Sequence, residues 1–335
     1  MSPTPRLSIG LPVYNGERYI AESIESILGQ SYTDFELIIS DNASTDSTRD
    51  ICRGYEKKDL RVRYFRQPQN IGLSPNHNFV VNEARGELFK WASNDDLYAR
   101  NLVARCVEAL DEYKDVVLAH SWTAKIDESG NVTAVYEYPL TTWSTRAPVR
   151  FRSMLFDSGG DDDYGVMRIA ALRRTAMKNS YHHADRTTIT ELGLHGRFYH
   201  VPDWLYFRRE HPAQSGRATM RARCANMDPR RANRFRHPAV RLYAEYVWGY
   251  MSAIQRAPLS SAERRECYWH LARWFASRAR LGYAGPGDPH SVDPLPAISI
   301  NAFVARAQGN ADADRFGRSC GDDDDRISVL GDQGW

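Results

Sequence analysis

Apolar positions in the first 120 residues alternate between short continuous runs and helically spaced stripes. Leu7–Val13 is an apolar run that ends in Pro12 and a Tyr14-Asn15-Gly16 turn, the pattern of a buried strand. Ile20, Ile24, Ile27 and Leu28 then fall on one helical face, which predicts a helix from about Glu17 to Gln30. Phe35–Ser40 is a second strand. It leads into the polar loop DNASTD, Asp41–Asp46, where Ser44, Thr45 or Asp46 can cap a following helix. Val62–Arg66 is a third strand, Pro75–Ala84 a helix, and Glu87–Ala92 a fourth strand that runs into Ser93-Asn94-Asp95-Asp96. Leu102, Val103, Cys106, Val107 and Leu110 stripe the next helix, and Val116–His120 is a fifth strand. Further on the pattern predicts a hairpin-like Val132–Tyr138, helices near Ala170–Met177 and Asp185–Gly193, and a strand at Trp204–Phe207. Pro238–Arg280 is helical throughout, with Val240, Tyr243, Val247, Met251 and Ile254 on one face.

Alternating strand and helix units imply an α/β fold with a mostly parallel sheet flanked by helices, followed by a helical C-terminal section. Ligands of such sheets bind at the carboxyl ends of the strands. That rule points to Tyr14-Asn15, Asp41-Asn42 and Asn94-Asp95-Asp96, each just after an apolar run.

Composition narrows the partners. The chain has 335 residues, 42% hydrophobic and 26% charged, enough for a sizeable core. Its formal charge of +2 argues against a nucleic-acid binder. The longest apolar stretch, Tyr246–Gln255, is too short to cross a bilayer. The start, MSPTPRLSIG, lacks an apolar signal segment, which argues against export. The five scattered cysteines fit neither a zinc site nor a disulfide framework, so a reducing cytoplasm is expected. Charge is uneven: Arg217–Arg280 has fourteen Arg, no Lys and four acids, whereas Leu281–Trp335 has nine Asp and four Arg. The last stretch is also rich in Gly and Pro and is expected to be mobile in part.

The chemistry-bearing residues sit at the predicted strand ends. Asp95 and Asp96 are adjacent carboxylates, able to hold a divalent cation through oxygen ligands and so bridge the protein to a substrate diphosphate. The same pair also suits a solvated turn that caps a helix. Asp41 can accept hydrogen bonds from a base or ribose, or can serve as a helix cap.

The wider string decides between these alternatives. SIGLPVYNGERYIAESIESILGQSYTDFELIISDNASTD (Ser8–Asp46) and NIGLSPNHNFVVNEARGELFKWASNDD (Asn70–Asp96) follow, in order and spacing, the motifs of the family 2 glycosyltransferases. The chain resembles that family strongly from Ser8 to about His120 and loosely to His211. The resemblance implies the GT-A (Rossmann-like) fold, and an inverting transfer of a sugar from a nucleoside-diphosphate donor to an acceptor hydroxyl. It implies Mn²⁺ or Mg²⁺ as cofactor. Pro12, Val13, Tyr14, Asn15, Asp41, Asn42, Asn70 and Asn94 are then expected around the donor nucleotide, with Asp95 near the ribose or donor sugar and Asp96 as the metal ligand. Asn94 replaces the usual first acid of that turn, and Asn42-Ala43 the usual Asp-Gly. UDP-sugars are the favoured donors, with dTDP- and GDP-sugars as rivals. The acceptor is expected to be a glycan, a lipid-linked intermediate or a small molecule, as in cell-surface glycan or natural-product glycosylation.

The resemblance also implies a catalytic base in an acidic pair that opens a helix well after the metal turn. Asp185 occupies that place, although Ala184 replaces the preceding Glu. Asp161, Asp162 and Asp163 are rivals, or contacts to the acceptor or diphosphate. In Arg208-Arg209-Glu210-His211, His211 is expected to complete the metal shell and Arg208 or Arg209 to bind phosphate. The expected divisions are a glycosyltransferase domain over 1–216 (donor half 1–120, acceptor half 121–216), the Arg-rich helical section over 217–283, and the Gly/Pro/Asp-rich tail over 284–335. The Arg-rich section, with Trp248, Trp269 and Trp274, suits solvated Arg faces over an aromatic core, a peripheral contact with anionic lipid, or a homodimer interface. The alternative function is a non-catalytic nucleotide-sugar-binding or scaffold protein of the same fold. A nucleotidyltransferase lacks support, because no Gly-rich phosphate loop is present near the start.

Overall fold

A computed structural model describes residues 4–137, 140–157, 161–181, 183–212, 219–233, 235–280 and 298–304. His182, the Asp322–Asp325 run and nearly all of the 284–335 tail lie outside the described residues.

The N-terminal half is a parallel block. β1 (Leu7–Val13) pairs with β2 (Phe35–Asp41) from Leu7 opposite Phe35 to Val13 opposite Asp41. β2 pairs with β3 (Val62–Arg66), and β1 also pairs with β4 (Leu88–Trp91), giving the order β3-β2-β1-β4. β1 and β2 are buried at every position, so they form from continuous apolar runs rather than from alternation. The helices α1 (Ile20–Leu28), α2 (Thr48–Lys58) and α3 (Leu73–Glu83) connect these strands. α1 buries Ile20, Ile24 and Ile27 against the same core as Leu7, Leu37 and Val62. Truncating one of these to Ala would cost about 2–5 kcal/mol. The register aligns the strand ends: Val13, Asp41 and Arg66 lie side by side.

The second half is mixed. β8 (Val166–Arg168) runs antiparallel between β4 and β6 (Val116–Ile126), so the fourth and fifth predicted strands are not neighbours. β6 is longer than the predicted Val116–His120. It forms a hairpin with β7 (Asn131–Tyr136), which β10 (Ile298–Ser299) extends, and it pairs in parallel with β9 (Arg197–Arg209). β5 (Leu97–Tyr98), ahead of α4 (Leu102–Glu112), pairs with β9, Leu97 opposite Phe207 and Tyr98 opposite Tyr206. This short ladder brings residues 206–211 to the Asp95-Asp96 turn, a junction that local pattern does not encode.

The helical expectations need three corrections. The helix predicted near Ala170–Met177 is only the single turn α6 (Ile169–Leu172). The predicted run Pro238–Arg280 is two helices, α9 (Ala239–Arg256) and α10 (Ser261–Arg280), because Pro258 interrupts it. The buried stripe of α9 is Leu242, Tyr246, Tyr250, Ala253 and Ile254, not the face led by Val240, which is 81% exposed. α7 (Ala184–His195) packs between α5 (Ala147–Phe156) and α9. Trp274 is buried in that cluster, whereas Trp248 and Trp269 are exposed. α8 (Met220–Met227), capped by Thr219, was not expected from the pattern. Four cysteines, Cys52, Cys106, Cys224 and Cys267, are buried free thiols. Among the described residues no helix is long and apolar enough to cross a membrane.

Candidate active site

The donor-side residues meet at the ends of β1 and β2. Asp41 is fully buried. One carboxylate oxygen accepts the Ser44 N–H (2.8 Å), and the other accepts Tyr64 O–H (2.6 Å) and Arg66 Nη1 (2.5 Å). Desolvation pushes the Asp41 carboxyl up, but the Ser44 and Tyr64 bonds and the Arg66 charge hold it below the usual range. Asn42 donates its amide to Asn70 Oδ1 (3.0 Å), and its own Oδ1 accepts the Ile71 N–H (2.9 Å). Asn15, at φ 50°, donates its backbone N–H to Ser44 Oγ and accepts the Thr45 N–H at Oδ1, both at 2.9 Å. The structure therefore gathers the expected Asp41, Asn42, Asn70 and Asn15, but the side chains of Asp41 and Asn42 hold the loop. Pro12 and Val13 are buried beneath it, and Tyr14 and Asn15 stand exposed at the rim. Gly16 allows this turn to close on Asn94: a Cβ there would meet Asn94 Nδ2 and Val13 Cγ2, each at 2.7 Å. Arg66 and Tyr64 were not singled out from the sequence, and Ser44 only as a helix cap; the place of Arg66 at a strand end is the one local signal that could have marked it.

The two adjacent aspartates face different ways. Asp96 is 3% exposed, its Oδ1 accepting the Arg209 N–H (2.8 Å) and its Oδ2 the Tyr206 O–H. Burial drives its carboxyl well above the usual range, and the neighbouring Asp95 charge adds to that. Both oxygens are thus engaged by internal donors. Asp95 is the more open carboxylate. Its Oδ2 lies 3.0 Å from His211 Nε2, and its Oδ1 accepts Ser93 O–H. His211 in turn lies 5.3 Å, ring to ring, from Tyr19.

Arg209 is also turned inward. Its guanidinium donates to the carbonyls of Asp95 (2.9 Å) and Glu128 (2.9 Å) and pairs with Glu22 (2.7 Å), while covering the Tyr19 ring. It braces the Asp95 turn. Arg208 pairs with Asp161 at 3.2 Å.

Asp162 and Asp163 are likewise not open acceptor contacts. Asp162 is 2% exposed and pairs with Arg186 (3.1 Å); Asp163 pairs with Lys178 (2.9 Å). Burial pushes the Asp162 carboxyl up to about 6 and raises Asp163 as well. Asp185 is exposed in the first turn of α7, where the helix dipole favours an anion, and its Oδ1 accepts the Arg186 N–H (2.8 Å). Desolvation raises its carboxyl, but Lys178, His183 and Arg186 outweigh that and hold it below the usual range.

The family model described as glycosyl transferase family 2 matches residues 8–180. A glycosyltransferase of Methanocaldococcus jannaschii is 32% identical over 130 residues, 38% of this chain and 45% of that one. The putative teichuronic acid biosynthesis glycosyltransferase TuaG of Bacillus subtilis is 33% identical over 108 residues, 32% of this chain and 43% of that one. Each of these matches spans less than half of the relative's length. Among solved structures, residues 1–349 of S. aureus TarS in complex with UDP superpose with a TM-score of 0.50 at 17% identity, covering 88% of this chain and 98% of that one. The fold is the GT-A type. The chain belongs to glycosyl transferase family 2.

Proposed function

We propose that this glycosyltransferase is an inverting, metal-assisted enzyme that moves a sugar from a nucleoside-diphosphate donor to an acceptor hydroxyl. The observation that carries the proposal is the Asp95–His211 pair, a carboxylate and an imidazole 3.0 Å apart beside the loop that gathers Asp41, Asn42 and Asn70.

The residues fit a divalent cation. A half-open carboxylate oxygen and an imidazole nitrogen suit Mn²⁺ or Mg²⁺. Among the described residues no third His, Cys, Asp or Glu joins them, so donor phosphate oxygens and water would complete the shell. A cation there would neutralise charge on the departing diphosphate. In this assignment Asp95, rather than Asp96, is the metal ligand, and Asp96 holds the turn. Tyr14 and Asn15 line the nucleoside side, and the loop pinned by Asp41 shapes its floor.

Asp185 is the base. Its carboxylate is exposed and held ionised by neighbouring cations, as a proton acceptor at neutral pH must be. The proton leaves the acceptor hydroxyl to Asp185, the hydroxyl oxygen attacks the anomeric carbon, and the bond to the diphosphate breaks on the opposite face. Much of the rate would come from holding donor and acceptor in line.

The test is calorimetric. UDP, dTDP and GDP are each titrated into the full chain with Mn²⁺ and again with EDTA. The expected result is tight binding of one nucleotide, UDP first, that collapses with EDTA and in Asp95→Ala. Metal-independent binding would remove the cation from the site. Tight metal-dependent binding with no transfer would favour a nucleotide-sugar-binding protein of this fold.

A further inference from the structure

Three consecutive acids in the single-turn helix Asp161–Tyr164 reach three basic residues from different elements. Asp161 pairs with Arg208 of β9 (3.2 Å), three residues before His211. Asp162 pairs with Arg186 of α7 (3.1 Å), the residue after Asp185. Asp163 pairs with Lys178 (2.9 Å), in the segment leading to α7. None is an exposed surface pair: Asp162 and Lys178 are 2% and 6% exposed. Lys178 Nζ also lies 4.6 Å over the ring of Trp91, the last residue of β4, two before Ser93 of the metal turn. The turn therefore ties the end of β9, the start of α7 and the end of β4 to one another.

We propose that the Asp161–Asp163 turn is a positioning device for Asp185, with Lys178 and Arg186 as the positioning residues that hold the Asp185 carboxylate in fixed relation to the Asp95–His211 side of the site. The proposal rests on the reading of Asp185 as the base. The link runs through residue 186: Asp162 fixes the Arg186 guanidinium and with it the first turn of α7, where the Arg186 backbone N–H binds Asp185 Oδ1 at 2.8 Å. The charged and titratable groups around Asp185 are Lys178, His183 and Arg186, with Asp163 from the turn and Tyr250 from α9. The cations stabilise the ionised carboxylate and Asp163 opposes it, so changes on the two sides of the Lys178–Asp163 pair have opposite signs.

The experiment reads Asp185 directly, without substrate. Aspartate carboxyl carbons of the full chain are ¹³C-labelled and titrated by NMR, and Asp185→Asn assigns the signal. Lys178→Met and Lys178→Gln, the second of which can still donate to Asp163, are expected to raise the Asp185 midpoint, through loss of an opposite charge that favours the carboxylate. Asp163→Asn is expected to lower it, and Lys178→Arg to leave it in place. An Asp185 midpoint unmoved in both uncharged Lys178 variants, with their nucleotide binding intact, overturns the proposal. Failure of the underlying reading is seen separately, as wild-type sugar transfer by Asp185→Asn.

Discussion

His211 Nε2 lies 3.0 Å from Asp95 Oδ2, across 116 residues of chain. The contact exists because β5 and β9 pair, which sets the residues after Arg209 beside the residues before Leu97. Asp95→Asn and His211→Ala should each lower Mn²⁺-dependent nucleotide affinity by at least about tenfold, or 1.4 kcal/mol. Titration with and without EDTA checks this. If either variant binds as wild type does, the pair does not hold the cation.

Asp96 should behave as a structural residue. Asp96→Ala leaves the Arg209 N–H and the Tyr206 O–H without their buried acceptor. Each such loss costs about 1–3 kcal/mol, so urea unfolding should show a clearly lower midpoint. Asp95→Asn, at a more open position, should unfold close to wild type. A reversed order of stability would return Asp96 to the site.

Asp185→Asn should cut sugar transfer by roughly 10²–10⁴-fold, the usual worth of a positioned base. Its nucleotide affinity should stay within about twofold of wild type, because a base toward the acceptor does not touch the diphosphate. Steady-state kinetics with calorimetry separates the two effects, and a parallel fall in affinity would point to a role in the donor site.

Ala43 sits at φ 64° in the donor loop, a left-handed conformation in which its Cβ is crowded. Ala43→Gly relieves that strain, less the extra chain entropy glycine loses on folding. A net gain of roughly 0.5–1 kcal/mol is expected. Denaturant unfolding measures it, and a lower midpoint would mean that the loop tolerates the alanine without strain.

Asp162 should make stability depend on pH in the reverse of the usual carboxylate sense. Its folded carboxyl titrates near 6, above the 3.8 of an ordinary aspartate. Between these values the folded chain keeps a proton that the unfolded chain has lost. The stability this group contributes is therefore complete below about pH 4 and falls as pH rises through 6. Unfolding midpoints of wild type and Asp162→Asn across pH 4–7 isolate the effect. Parallel curves would show that Arg186 fully compensates the burial of Asp162.

Much of the donor half was legible because its signals are local. A strand buried on both faces needs a continuous apolar run, so Leu7–Val13 was bounded from the sequence as it stands in the fold; Val62–Arg66 was bounded too, as a half-buried strand with Val62 and Tyr64 on its inner face. Helices of one amphipathic face gave α1 and α4 through Ile20, Ile24, Ile27 and Leu102, Val103, Cys106. In α9 the same kind of signal chose the wrong stripe. Aromatic and aliphatic residues encircle that helix, and only packing against α5 and α7 decides that Tyr246 and Tyr250 go inside. The acids of DNASTD and SNDD, and Asp185 in the first turn of its helix, were visible as polar residues where an element ends or starts.

What the sequence by itself determined is the main strands and helices of the donor half, and hence which polar residues collect at one edge of the sheet. Those properties depend on burial period and capping over a few neighbouring residues. Tertiary structure alone decided that β8 enters between β4 and β6, that Asp96 turns inward to Tyr206 while Asp95 meets His211, and that Arg209, Asp162 and Asp163 are consumed in internal pairs. Adjacent aspartates carry the same local signal. Which one is desolvated depends on partners more than a hundred residues away, brought there by strand pairing.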